Sequence, residues 1–308
     1  MTLWVAAATG MGPRQAGISI AAAFLAGGFL SATGVLQQRA AGRRPSDESL
    51  SPKLISSLLH DRMWLMGLGT GIASYGFQAL ALAFGPLALV QPVFLSELIF
   101  AVPISVRLNG MRMSVRDWGG LLCVAGGLAI GIVSSWPRRG NPLPSLGAWG
   151  VAIAWIVALT ALGVIAGRAL RGPVRASFFA MAAAAVMALQ SALLASTVEL
   201  MKHGLVPLFS SWQSYAVVPV TGVGVLLVMS AYQAGPLAAS MPVIDSFEPS
   251  IAVVMGLVLF GEHIHTAPMN LTGTVCGLVL FFVGIVLLDT SPLVHALQRK
   301  QAAHAEKV

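Results

Sequence analysis

Charge is what this chain lacks most. Asp, Glu, Lys and Arg make up only 9% of its 308 residues, against about 25% in a soluble domain. With 56% hydrophobic residues and a mean hydropathy of +0.82, a soluble globular fold is excluded. Cysteine is nearly absent. Cys123 and Cys276 both lie in apolar segments without metal-ligand spacing, which excludes a disulfide framework and a zinc site and leaves them as small buried hydrophobes. There is no nucleotide-binding loop, no metalloprotease motif and no Gly-x-Ser-x-Gly elbow. An ATP-driven pump needs a soluble motor domain, for which there is no room. Nothing points to an enzyme, and no cofactor is implied.

What is there is apolar length. A hydrocarbon core of about 30 Å takes about 20 residues of helix. Nine segments qualify: 17–38, 63–83, 86–107, 117–135, 146–167, 175–198, 212–233, 236–260 and 270–289. The expected fold is therefore an all-α polytopic membrane protein with nine transmembrane helices. The apolar stretch from Thr2 to Met11 lacks a basic flank and is not expected to be a cleaved signal.

The net charge of +7 tempts one toward nucleic acid, but the basic residues sit in short loops with no nucleic-acid motif around them. They read instead as topology signals. With the N-terminus outside, fourteen of the eighteen Lys and Arg residues fall on the inner side and four (Arg14, Arg138, Arg139 and Lys202) on the outer. That asymmetry predicts N-out and C-in, in a bacterial plasma (inner) membrane crossed many times. The loop around residues 39–62 is expected to be a flexible inner linker or a surface helix. The tail 293–308 is expected to be cytoplasmic and frayed.

Three carboxylates interrupt this apolar pattern. Glu97, Asp245 and Glu248 lie in the middle of two segments that hold no Lys or Arg nearby. An acid near the bilayer centre costs about 2.5–3.5 kcal/mol on insertion scales. Such a group is protonated, paired, or visited by a cation. Burial and like charges raise a carboxylate's pKa, so a proton or cation site is one reading, and a structural acid bonded to backbone, Ser or Gln is the other. Gln78, Gln91 and Gln190 are amides in apolar helices, and Tyr75 adds a hydroxyl. They either line a cavity or bond between helices. Tyr232 and Gln233 stand near the inner mouth.

Other features carry blander readings. Glu262, His263 and His265 read as a solvated outer loop rather than a divalent-cation site. The Gly67/Gly71, Gly127/Gly131 and Gly273/Gly277 spacings read as close helix packing. Trp64, Trp118, Trp136, Trp149 and Trp212 fall near helix ends, as an interfacial belt would.

The chain also repeats itself. Gly85-Pro86-Leu87-Ala88 recurs as Gly235-Pro236-Leu237-Ala238, Pro92-Val93 as Pro242-Val243, and Ser96 as Ser246, at an offset of 150. Gly120, Cys123, Gly131, Ile132 and Val133 match Gly273, Cys276, Gly284, Ile285 and Val286 at an offset of 153. Residues 1–138 form a first repeat of four helices, and 139–292 a second of five. Five helices separate the copies, so the second runs inverted. Inverted repeats are a plan of secondary transporters, which bind substrate near the midplane at interrupted helices. Pro92 and Pro242 are the expected helix breaks.

The stretch Ala83-Phe84-Gly85-Pro86-Leu87-Ala88-Leu89-Val90-Gln91-Pro92, followed by Gly120-Leu121-Leu122-Cys123-Val124-Ala125-Gly126, resembles the drug/metabolite transporter superfamily. Within it, the chain looks most like the NIPA-type magnesium transporters. Val283-Gly284-Ile285-Val286-Leu287-Leu288 is similar to that family's last helix, and Gly261-Glu262 to the Gly-Glu pair that closes a helix in EamA-type exporters. The likeness implies nine spans with the N-terminus outside. Gln78 stands in place of the family's Asn, Glu97 in place of a small polar residue, and Asp245 and Glu248 have no counterpart in the magnesium family.

The expected function is a secondary transporter of a small cationic, zwitterionic or neutral solute, with protons as a coupling ion these acids could serve. No buried Lys or Arg is available to clamp an anion. One rival is a magnesium pathway, with Glu97, Asp245 and Glu248 as the metal site. The other is a non-transporting membrane scaffold. The expected partners are the lipid bilayer and the solute, not nucleic acid, and a homodimer is left open.

Overall fold

The computed structural model describes residues 12–41, 61–94, 96–108, 113–135, 137–234, 237–263 and 267–289. The N-terminal apolar stretch, most of the 39–62 loop, Trp136, Gly235-Pro236, His265 and the tail lie outside them. Apart from one bridge between Arg138 and His263, regular structure among the described residues is entirely helical. In order the helices are α1 (Pro13–Ala41), α2 (Arg62–Phe84), α3 (Leu87–Phe94), α4 (Glu97–Leu108), α5 (Val115–Ser135), α6 (Leu146–Ala169), α7 (Gly172–Lys202), α8 (Leu205–Ser210), α9 (Trp212–Ala234), α10 (Leu237–Val258) and α11 (Pro268–Asp289).

By length and composition, six of the described helices can cross a membrane: α1, α2, α5, α6, α7 and α11. Their outward side chains are large and apolar, among them Ile72, Leu122, Leu162 and Val286. In water such a surface would drive aggregation, whereas in lipid it is the expected boundary. The chain is thus a multi-pass helical membrane protein. The segment 86–107 is not one continuous helix: α3 ends at Phe94 and α4 starts at Glu97.

Helix bounds and helix partners both follow the sequence repeat. Adding 150 to the ends of α2 gives those of α9, and adding it to the start of α3 and the end of α4 gives those of α10. Helix α1 packs on α2, α3 and α4, as α7 packs on α9 and α10. Helices α5 and α11 run antiparallel in one tight pair. A Cβ on Gly284 would come 2.6 Å from the Val124 nitrogen, and one on Gly277 would come 2.4 Å from the Gly131 nitrogen. Under the offset of 153 these two contacts are images of each other.

Small residues make these approaches possible, because lipid provides no hydrophobic drive between helices and backbones must come close enough for dispersion to hold them. Helix α7 lies at the centre, its buried face built from Ala180, Ala184, Ala188, Ala192 and Ala195. Between α1 and α2, the Ser19 hydroxyl donates to Ala81 C=O (3.0 Å), the Ser74 hydroxyl donates to Ala26 C=O (2.8 Å), and the Thr33 and Thr70 hydroxyls share a bond of 2.9 Å.

Two expectations about single side chains change. Trp149 is not interfacial: it is 1% exposed and meets the rings of Trp212 and Phe260 edge-on, at centroid distances of 5.3 and 6.2 Å. Cys276 is exposed on α11 and Cys123 is half-buried.

The α5–α11 seam makes a direct prediction. Gly277→Ala places a methyl on the Gly131 backbone and should destabilise the protein by about 1–3 kcal/mol. Gly126→Ala meets only a Leu280 methyl at 3.6 Å and should be tolerated. Thermal unfolding of both variants in detergent measures the difference.

Candidate functional site

The three carboxylates come from two helices, α4 and α10, of which α10 packs on α3, the short helix just before α4. Glu97 opens α4, while Asp245 and Glu248 lie one turn apart on α10. Asp245 and Glu248 lie within electrostatic range of Glu97, and the Tyr75 hydroxyl on α2 lies within range of Glu97 and Glu248. All four side chains are partly buried.

The interruption before Glu97 is built locally. Ser96 N–H donates to Val93 C=O at 2.9 Å, and Ile99 N–H donates to Ser96 C=O at 2.9 Å. Both are three-residue turns, tighter than an α-helix. Pro92 is in the last turn of α3, where it withholds the N–H that Ala88 C=O would otherwise receive. The break therefore falls after Pro92, not at it. Helix α10 runs unbroken through Pro242, whose side chain lies outside the described ones. Helix α1 presses on the break at Gly27, where a Cβ would come 2.6 Å from Phe94 O, 2.9 Å from Glu97 N and 3.0 Å from Ser96 Oγ.

The amides lie deeper. Gln78, Gln91 and Gln190 are each at most 2% exposed. Gln78 Nε2 donates to Ser191 Oγ at 3.3 Å, and that hydroxyl donates to Gln190 Oε1 at 3.5 Å. Gln78 Oε1, Gln91 Nε2 and Ser96 Oγ have no protein partner. A buried polar atom left unpaired costs about 1–3 kcal/mol; Gln91 and Ser96 flank the helix break, and Gln78 lies on α2 against Ser191. Among the described residues, no three His, Cys, Asp or Glu side chains converge to hold a metal ion.

A second polar centre lies at the other end of α3, and sequence reasoning missed it by placing Glu262 in a solvated loop. Glu262 is 6% exposed. Its Oε1 accepts from Leu87 N–H at 2.7 Å and its Oε2 from Ala88 N–H at 2.9 Å. These are N–H groups of a helix's first turn, which have no partner within the helix and favour an anion. Gly261, at φ +61°, turns the chain back after α10 in the left-handed conformation that favours glycine. Gly256 leaves the space the carboxylate enters, since a Cβ there would lie 2.4 Å from Glu262 Oε2. Burial pushes the Glu262 carboxyl up to about 7, against the two backbone N–H groups and Arg139, which favour its charged form.

Arg139 ties the same face together. It donates to Ala83 C=O (3.1 Å), to Leu82 C=O (3.2 Å) and to the Glu199 carboxylate (3.0 Å). Lys202 also reaches Ala83 C=O and Glu199. Two cations thus sit at the C-terminal end of α2, where its free carbonyls favour them. The only sequence signal for Glu262 was the Gly-Glu pair itself.

No family model matches the chain, and no solved structure does. The chain is similar to an uncharacterized protein of Corynebacterium glutamicum, 29% identical over 259 residues, which span 83% of this chain and 89% of that one.

The Glu262 environment has a pH consequence. The native carboxyl holds its proton up to about pH 7, whereas an ordinary one releases it near 4.5. Native protein therefore binds more protons across that window, so stability falls as pH rises through it and levels off above. The fall should be at most about 3 kcal/mol. Melting curves at pH 5, 6, 7 and 8 should show this component in the natural chain and not in Glu262→Gln. An equal pH dependence in both would refute the assignment.

Proposed function

We propose that this chain is a secondary carrier of drug/metabolite-transporter type that moves a small cationic, zwitterionic or neutral solute past Glu97, Asp245 and Glu248. Its nine spans run N-out and C-in as a first repeat of four helices, residues 1–138, and an inverted second of five, residues 139–292. The observation that carries this reading is that three carboxylates and a tyrosine lie within electrostatic range at an interrupted helix inside an apolar bundle. A carrier needs a polar site near the midplane whose charge can be cancelled, and a carboxylate cluster cancels its charge either with a cation or with a proton. Proton loading of this cluster supplies the coupling.

The matched contacts of α5 with α11, and of α1 and α7 with their neighbours, support the repeat reading. The resemblance of residues 83–92 and 120–126 to the superfamily supports it independently. The orphaned atoms of Gln78, Gln91 and Ser96 are the hydrogen-bonding groups that would orient the solute. Magnesium is the second reading, favoured by the gathering of acids. Magnesium keeps several of its waters and touches one or two carboxylates, so it does not require a closed set of protein ligands.

Purified protein in liposomes tests both readings. Internal magnesium and internal pH would be followed in the natural chain and in a triple variant, Glu97→Gln, Asp245→Asn, Glu248→Gln. Solute-dependent proton movement that the variant loses, with no magnesium entry, is the expected result. Magnesium entry lost in the variant would replace the carrier with a cation pathway. Folded protein that moves neither ion with any cationic, zwitterionic or neutral solute would leave a membrane scaffold.

A further inference from the structure

The contacts around Glu262 join parts of the chain that a rocking carrier has to separate. The carboxylate belongs to the second repeat, and the Leu87 and Ala88 N–H groups it holds belong to the first. Arg139 repeats the pattern, spanning from the end of α2 to Glu199 on α7. Arg138 and His263 exchange backbone hydrogen bonds, N–H to C=O at 2.8 and 3.2 Å. Gly140 presses on the end of α10 so closely that a Cβ there would lie 1.9 Å from Phe260 O and 2.7 Å from Glu262 N. All these contacts lie on the side that the charge asymmetry assigns to the outside.

The same helix links this face to the acids. Helix α3 is eight residues long, about 12 Å at 1.5 Å per residue. Its first turn is held by Glu262, and its last turn ends at the break that leads into Glu97. A cavity of about 10 Å³ lies beside the carboxylate, walled by Leu82, Pro86, Leu87 and Arg139 among others. That is room for about one water. The clamp is thus closed, with space for the water that would compete for it.

We propose that Glu262 is the latch of the outer gate. It holds the N-terminal end of α3 against the second repeat, and its release frees α3 to open a path from that face to Glu97, Asp245 and Glu248. This rests on the carrier reading, but the latch itself can be read without transport.

Hydrogen exchange of the full chain in lipid nanodiscs does so, with two variants that break the contact in different ways. Glu262→Ala removes the acceptor. Gly140→Ala leaves Glu262 in place and wedges the 138–140 segment from Phe260. In both, exchange of the Leu87–Val90 amides should rise at least tenfold while α5 and α11 keep their protection. A Leu87→Cys probe, in a Cys123→Ser, Cys276→Ser background, should become more reactive toward a membrane-impermeant maleimide. Unchanged exchange at Leu87–Val90 in both variants would overturn the latch. So would a uniform rise across the chain, which would make Glu262 a support of the whole fold. A selective rise without solute flux in any variant or in the natural chain would keep the latch and remove the carrier.

Discussion

An eight-residue helix cannot hold itself. Starting a helix fixes several backbone angles before the first hydrogen bond repays them, and the N–H groups of its first turn have no partner within the helix. Helix α3 begins under that constraint, and Glu262 relieves it with two hydrogen bonds from a part of the chain about 175 residues away. Much of the surrounding structure serves that contact. Gly261 reverses the chain, Gly256 makes room, Gly140 lets the 138–140 segment close over the end of α10, and Arg139 occupies the carbonyl end of the neighbouring α2. Removing Glu262 itself leaves the Leu87 and Ala88 N–H groups without the partner that holds them.

The rest of the bundle is held on a different principle. Lipid is as apolar as leucine, so burying leucine between helices gains little. What does gain is close backbone approach. The sequence supplies it with glycine along α5 and α11 and with alanine along α7. The α5–α11 pair is therefore the rigid seam, whereas the face around Glu262 depends on a few polar contacts. A structure with one seam and one clasp is mechanically uneven.

The apolar segments were legible because bilayer thickness sets their length, and six of the described helices are long and apolar enough to span, while segment 86–107 is divided into two helices. The repeat was legible because glycine and proline are expensive to misplace, so they keep their register. The acids stood out because no Lys or Arg lies near them in the sequence. Other features were hidden for physical reasons. The break after Phe94 depends on Gly27 of another helix as well as on Pro92, so proline alone pointed to both copies when only one is interrupted. Glu262 looked like a loop residue because its partners are backbone N–H groups, which leave no trace in side-chain patterning. Trp149 looked interfacial because its distance from a helix end was visible and the Trp212 and Phe260 rings that cover it were not.

Helix bounds follow the repeat, but the three acids lie where the repeat fails. At the offset of 150, Glu97 corresponds to Phe247, Asp245 to Leu95 and Glu248 to Leu98. No acid has an acidic counterpart. The interrupted helix likewise corresponds to a continuous one. A fully symmetric pair would place two equal sites about the axis and give neither half a reason to move first. Here one copy contributes a short, externally capped helix leading into a single carboxylate, and the other contributes two carboxylates on an unbroken rod. The rod holds two of the acids one turn apart, and in the proposed carrier release of the short helix would change the distance of the third from them. Like charges in an apolar setting repel strongly unless a proton or cation intervenes. In the proposed carrier, a shift of α3 would therefore change the affinity of the cluster for whatever neutralises it, and would link geometry at one membrane face to cation affinity in the interior.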